Sequence, residues 1–235
     1  MTLADYNNPI VRNKAVELTQ NRESLADKIS AIFYYVRDDI KFAFPKEGDL
    51  VQASQTIKYG YGQCNTKATL FLALCIAVDI KARIHFSLID REIQKGLFSG
   101  VAFWMMPKEI SHSWIEIEMN GKWIKIDAFI NDAAFYEAGK KELVKKNWDI
   151  GYSIACSKND SSIELNFHNE KFVQMDAVTE DHGVYEEPMD YFNSSRYKNR
   201  PNAFKLFIYK LLVGGINEKV KKLRSSKNKF TNIKK

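Results

Sequence analysis

Residues 59–74 read YGYGQCNTKATLFLAL. Glycines and polar residues lead into Cys64, and an Ala- and Leu-rich run follows without a break. The stretch predicts a helix that opens at Cys64, runs to Val78 and is buried on most sides. A helix start carries unpaired backbone N–H groups and a partial positive charge. A thiol set there is expected to have a lowered pKa, and the thiolate is the nucleophilic form. The same N–H groups can hold a developing oxyanion, and Gly60 and Gly62 permit a tight turn and close approach of another chain to the sulfur. Free cysteines are more often small buried hydrophobes, a description that suits Cys75 on the apolar face of the same helix.

A cysteine nucleophile needs an imidazole to take its proton and a third group to orient that ring. Of His85, His112, His168 and His182, the informative one is His112, in SHSWIEIEMNGKWIKIDAFI (111–130). Asn120-Gly121 between two alternating runs predicts a hairpin closed by a two-residue type I′ loop. Met119 then pairs with Lys122, Trp114 faces Asp127 and His112 faces Phe129. Alternation puts His112, Trp114, Glu116, Glu118, Trp123, Lys125, Asp127 and Phe129 on one face, and Ile115, Ile117, Ile124 and Ile126 on an aliphatic core face. His112 and Asp127 become diagonal neighbours, roughly 7–8 Å apart, within reach of a bridging side chain. The other three histidines are expected to be structural or exposed.

Elsewhere the text predicts helices first and antiparallel strands after, an α+β order. NPIVRNKAVELTQ reads as a helix capped by Asn8 with Pro9 at its first position. Ser24 caps a second helix whose inner face is Leu25, Ile29, Ile32, Phe33 and Val36. Residues 42–62 read as a loop or short helix, 82–89 as a strand, and ELNFHNEKFVQMDAV (164–178) as a strand or loop. Three cysteines, Cys64, Cys75 and Cys156, are too few and too scattered for a disulfide framework. No Cys or His pair has zinc-site spacing, so no metal is expected.

In sequence, YGQC opening a helix, HSW on a strand and GKWIKID on the next resemble the transglutaminase-like superfamily of cysteine enzymes. ISAIFYYVRDDIKF and AVDIKARIHF resemble the family's segments on either side of its active-site helix. The resemblance covers about residues 29–130 and implies a papain-like α+β fold, with the nucleophile helix packed on an antiparallel sheet. It also implies a catalytic set of Cys64, His112 and Asp127 working by acyl transfer with no cofactor. The chain departs from the protein-crosslinking members, which follow the cysteine with tryptophan; here Asn65 stands there, and no tryptophan precedes Trp104. Hydrolysis of a peptide or isopeptide-like amide is therefore favoured over transfer to an amine by an acyltransferase or cyclase. A non-catalytic binding module is the third class. For the site wall or the side-chain half of an oxyanion hole, Gln55, Tyr59, Tyr61, Gln63, Trp114 and Trp123 are the candidates.

Charge divides the chain. Residues 196–235 hold 13 Lys or Arg and one acid, Glu218, whereas the first 195 hold 22 basic and 28 acidic residues. A catalytic domain at 1–195 with a basic C-terminal helix and tail at 196–235 is the expected organisation. The apolar stretch Phe204–Val213 is expected to pack on the domain, with an anionic membrane surface as the other partner that 202–235 fits. Nucleic acid ranks last. The start lacks a basic region followed by an apolar run, and no stretch reaches the roughly 18–20 apolar residues of a membrane span. A cytoplasmic, at most membrane-peripheral, enzyme is the expectation.

Overall fold

The computed structural model describes residues 2–155, 162–168 and 174–226. Asn8 accepts from Ile10 N to cap α1 (Pro9–Thr19), and Ser24 accepts from Asp27 N to cap α2 (Leu25–Tyr34). Ile29, Ile32, Phe33 and Val36 are buried, but Leu25 is half out in solvent, because it stands in the first turn beyond the edge of the packed face. A π-turn (Tyr35–Asp39) leads to β1 (Lys41–Phe42), α3 (Ala53–Tyr59) and β2 (Tyr61–Gly62), which pairs in parallel with β1. Helix α4 (Cys64–Ile76) ends two residues earlier than its apolar text suggests. Every residue from Asn65 to Cys75 is buried, which is why this helix shows no polar face.

The sheet against which α4 packs is antiparallel, with strand order β5-β4-β3-β8: β3 is Ala82–Asp90, β4 Glu109–Met119, β5 Lys122–Ile126 and β8 Val178–Tyr185. The fold is α+β, as the order of elements in the sequence predicts. The β4–β5 register has Met119 opposite Lys122 and Ile115 opposite Ile126. Asn120 (φ 52°) and Gly121 (φ 75°) take the two left-handed positions a type I′ turn requires. Ile115, Ile117 and Ile126 are buried, and Ile124, near the sheet edge, is half-buried. The ladder stops at Ile126, so Trp114 does not pair with Asp127, nor His112 with Phe129. Phe129 instead enters the core against Phe71 of α4, ring centroids 5.0 Å apart. Strand β8 was not legible in the text because VTEDHGVY is polar at most positions. It joins the edge of β3 through a register shift between Phe86 and Ser87. Residues 169–173 of the stretch read as strand or loop, and Cys156, lie outside the described residues.

After β5 come α6 (Ala133–Lys146), the short β6 (Ile150–Gly151) and β7 (Ile154–Ala155), and α7 (Pro188–Asn193). Between β3 and β4 a 3-10 turn (Arg91–Gln94) precedes α5 (Gly100–Trp104). The basic C-terminal segment forms α8 (Ala203–Ser225), and its buried residues are Val213, Ile216 and Val220. These belong to the same hydrophobic core as α4 and the sheet. Asn217 brackets Phe44, accepting from its N–H and donating to its carbonyl, both at 2.9 Å. Arg224 forks onto Asp132 and donates to Phe42 O. Of the cluster Lys219, Lys221, Lys222 and Arg224, two cations are thus engaged by the domain, since Lys219, though exposed, bonds Leu97 O and Ser99 Oγ. Phe204, Phe207, Leu211 and Leu212 remain exposed. No helix among the described residues is long and apolar enough to cross a membrane.

Lys67, fully buried on α4, donates to Ile130 O at 2.7 Å and Arg37 O at 3.2 Å. Burial lowers its pKa from 10.5 to about 7, with nearby Asp132 and Asp38 opposing. Between those values the unfolded chain holds a proton that the folded one releases. Stability is therefore expected to rise with pH above about 7, by up to ~1.4 kcal/mol per unit from this residue. Urea unfolding of wild type and Lys67→Met from about pH 7 to 9.5 should show the slope reduced in the variant. Val220→Ala in α8 is expected to cost roughly 2 kcal/mol, the transfer of two methyl groups plus a cavity, in the same measurement.

Candidate active site

Gln63 caps α4: its backbone N–H donates to Thr66 Oγ1 at 3.0 Å, and its side-chain oxygen accepts from Asn65 N at 3.4 Å. A Cβ on Gly62 would lie 2.6 Å from Thr66 Oγ1, so this glycine lets the incoming strand approach the first turn of α4 itself. Gly60, at φ 67°, closes α3 in the left-handed region. Cys64 is thereby set at the first position of the helix, half-buried, with Sγ donating to Gln63 Oε1 at 2.8 Å and lying 3.9 Å from Ser111 O.

Asp49, on the loop before α3, organises the neighbours. It accepts from the Gln63 carboxamide and from Asn65 Nδ2 (2.9 Å) on Oδ1, and from Tyr197 Oη (2.8 Å) on Oδ2. Asn65 also donates to Ser111 Oγ at 3.3 Å and accepts from Ser113 Oγ at 2.9 Å. The first turn of α4 is thus stitched to β4 on both sides of His112. His112 and Asp127 are fully buried, with Nε2 and Oδ1 3.2 Å apart. Among the described residues neither ring nitrogen of His112 makes an aligned hydrogen bond, and none joins the thiol to the imidazole. The structure therefore brings His112 and Asp127 together and lays Cys64 against the carbonyl that precedes His112.

The electrostatics differ from the expectation for a helix-start thiol. The Cys64 pKa is raised well above its ordinary value, first by burial and then by the Asp49 carboxylate, with Asp127 adding to it. The backbone N–H groups of Cys64 and Asn65 do lower it, but they are outweighed. A helix N-terminus supplies only a partial charge, and removing the thiolate from water costs more. Cys64 thus rests as a thiol. Cys75, buried with its thiol also pushed up by burial, is an inert core side chain.

Cys64 opens into a cavity of about 600 Å³, which Asp49, Gln63 and Ser111 also line. Of the other wall candidates, none borders it. Gln55 is half-buried on α3, and Tyr59 donates to Glu47 at 3.1 Å while its ring stacks on Tyr61. Trp114 stacks on His85 at 4.2 Å, and Trp123 lies beneath Arg83 at 4.0 Å, partly exposed. Alternation sends these tryptophans to the sheet face away from Ser111 and Ser113. Gln63 does border the cavity, but Asp49 takes its NH₂ and its oxygen faces the sulfur. His85 is held between Glu116 (2.7 Å) and Asp181 (2.6 Å); burial lowers its pKa, and these two partners raise it further than that. His182 contacts Tyr191 and Glu180, and His168 is exposed. Among the described residues no three His, Cys, Asp or Glu side chains gather at metal-binding spacing.

Asp49 was missed in the sequence, because it sits in an irregular loop where no periodicity marks a facing direction and reaches Asn65 only once that loop is folded.

Residues 12–128, about half of the chain, match the family model of the transglutaminase-like superfamily, and that stretch of the chain belongs to the superfamily. The chain is similar in structure to a "Putative Cysteine Protease from Cytophaga hutchinsonii", at 15% identity and a TM-score of 0.49, covering 81% of this chain and 46% of that one. It is similar also to a "putative protease from Parabacteroides distasonis", at 14% identity and a TM-score of 0.36, covering 52% and 25%. The chain thus spans about half, or a quarter, of the length of these two chains. No curated protein matches the sequence.

Asp49→Asn removes a negative charge beside the sulfur and is expected to lower the Cys64 pKa. Alkylation of Cys64 by iodoacetamide near pH 8 should speed up by roughly threefold to tenfold, with its pH profile displaced to lower pH.

Proposed function

We propose that this protein is a cysteine hydrolase that cleaves a peptide or isopeptide-like amide through a thioacyl intermediate, with Cys64 as nucleophile, His112 as general base and acid, and Asp127 as the group orienting the imidazole. The observation that carries this reading is the buried His112–Asp127 contact at 3.2 Å on a strand whose Ser111 carbonyl lies 3.9 Å from Cys64 Sγ. The superfamily match over residues 12–128 supports it. Asp127 lies at one ring nitrogen, and the other must meet the thiol when substrate binds, since the resting site holds no bond between them. In substrate-free sites such hydrogen bonds are often long and tighten on binding.

The chemistry follows from a resting thiol. Sγ attacks the carbonyl carbon as its proton passes to His112, and the C–S bond forms. The backbone N–H groups at the start of α4 are the donors for the oxyanion. The imidazolium, stabilised by Asp127, returns the proton to the leaving amine as the C–N bond breaks. Water then adds to the thioester, giving its proton to His112, and breakage of the C–S bond restores the thiol. Transfer of the acyl group to an amine in place of water uses the same intermediate, and Asn65 after the nucleophile is the residue that disfavours it.

Cys64→Ala is expected to abolish hydrolysis and covalent labelling by a thiol-directed substrate analogue, and Cys75→Ala to leave both intact. His112→Ala should lower kcat by roughly 10³-fold or more, and Asp127→Ala should slow acylation yet leave measurable turnover. Intact-mass detection of an acyl adduct on Cys64 checks the set. Turnover by Cys64→Ala would show that the nucleophile lies elsewhere.

A further inference from the structure

The cavity beside Cys64 is far larger than one reacting bond requires. Its volume of about 600 Å³ is in the range of sites that enclose whole small ligands. Apolar side chains make most of its wall, among them Phe44, Leu50, Phe98, Met105, Phe192 and Leu212. They come from the loop before α3, from α5 and its approach, and from α7 and α8, segments that the sequence separates by up to 168 residues (44 to 212).

Most polar groups at its edge are already engaged. Asp49 holds three donors, Arg200 donates to Phe192 O and Lys198 to Glu180, while Asn199 donates to Glu109 O but keeps its own side-chain oxygen unpaired, as Gln94 does. Of the two, Gln94 is the more deeply buried. It lines the cavity, is 6% exposed, and its side-chain oxygen has no hydrogen-bond partner among the described residues. Buried carboxamide oxygens are nearly always paired, because an orphan forfeits its hydration with nothing in return. A donor brought by a ligand removes that cost, and an amide N–H beside a bulky apolar group satisfies both features of the cavity.

We infer that this cavity is a substrate subsite for a bulky apolar residue of a peptide, and that Gln94 is a specificity-determining residue that accepts one of the N–H groups flanking it. The inference rests on Cys64 being the nucleophile, and it names the class of amide that reaches it. The apolar wall selects a large side chain by the area it removes from water. Gln94 discriminates an amide from an isosteric ester, since a site built to pair a donor penalises the analogue that lacks it. A long acyl chain fills the same volume but leaves Gln94 unpaired, so the peptide is the better match.

Binding to the Cys64→Ala protein separates this from catalysis. The probes for calorimetry are acetyl-Leu-Phe-amide, acetyl-Gly-Gly-amide, the two depsipeptides that replace one internal N–H of the first with an ester oxygen, and decanoate. Acetyl-Leu-Phe-amide is expected to bind at least about tenfold more tightly than the glycine peptide and than decanoate. One depsipeptide is expected to lose about tenfold. Adding Gln94→Met should erase that amide–ester difference while keeping the apolar preference, and Gln94→Glu, which keeps an acceptor oxygen, should retain both. Equal binding of the glycine and Leu-Phe peptides, tighter binding of decanoate, or an amide–ester ratio unmoved by Gln94→Met overturns the inference. Wild-type protein given the matching anilides distinguishes the two readings. Binding selectivity without cleavage leaves the subsite supported and sinks the nucleophile, whereas cleavage without side-chain preference sinks the subsite and leaves the nucleophile.

Discussion

The Lys67 amine is the contact on which the site's geometry depends. It lies one helical turn below Cys64 and bonds the carbonyl of Ile130, three residues beyond Asp127, and that of Arg37 in the π-turn. One buried amine therefore ties the helix that opens at Cys64 to the segment that carries Asp127. An ammonium with no water around it is costly, and burial answers by bringing its pKa down to about 7. The two carbonyls cannot find donors elsewhere in a packed interior, so the helix and the loop are fixed relative to each other by mutual need.

A second layer of polar contacts works outward from there. Asp132 caps α6, accepts from Phe42 N and receives the Arg224 fork. The end of α8 is thereby anchored to the same corner that Lys67 braces. Near the cavity, Asp49 performs the corresponding task for Gln63, Asn65 and Tyr197. Its carboxylate sets the direction of Gln63, which accepts from the Cys64 thiol, and its charge adds to burial in raising the thiol pKa. A neutral thiol is protected from stray electrophiles and oxidants.

The basic C-terminal segment has two halves with different surroundings. From Val213 onward its apolar positions recur at three- and four-residue spacing and enter the core, while Lys219 and Arg224 bond backbone and carboxylate groups. Before Val213 the side chains Phe204, Phe207 and Leu211 are in solvent, half-buried ones such as Leu206 and Ile208 border the cavity, and Leu212 stands exposed at its rim. A single helix thus braces the fold at one end and shapes the substrate-sized space at the other. Net positive charge alone says nothing of this division, because each cation's role depends on what faces it.

The helix starts at Asn8 and Ser24, the opening of α4 at Cys64 and the β4–β5 hairpin were legible in the sequence because each is set by local chemistry. Caps act within three residues, and Asn-Gly accepts the two left-handed conformations that a tight hairpin needs. Through that hairpin the sequence by itself put His112 and Asp127 near one another, although Phe129, assigned to the same face, turned into the core once the ladder ended at Ile126. Tertiary structure alone decided the rest. Strand β8 exists because the edge of β3 offers unpaired backbone groups to a segment too polar to announce itself. The Cys64 thiol is neutral because burial and Asp49 outweigh the helix terminus. The cavity, with Gln94 on its wall, is assembled from segments far apart in the chain. Local rules extend over a turn or a hairpin, whereas desolvation and cavity shape depend on every chain segment that closes around a group.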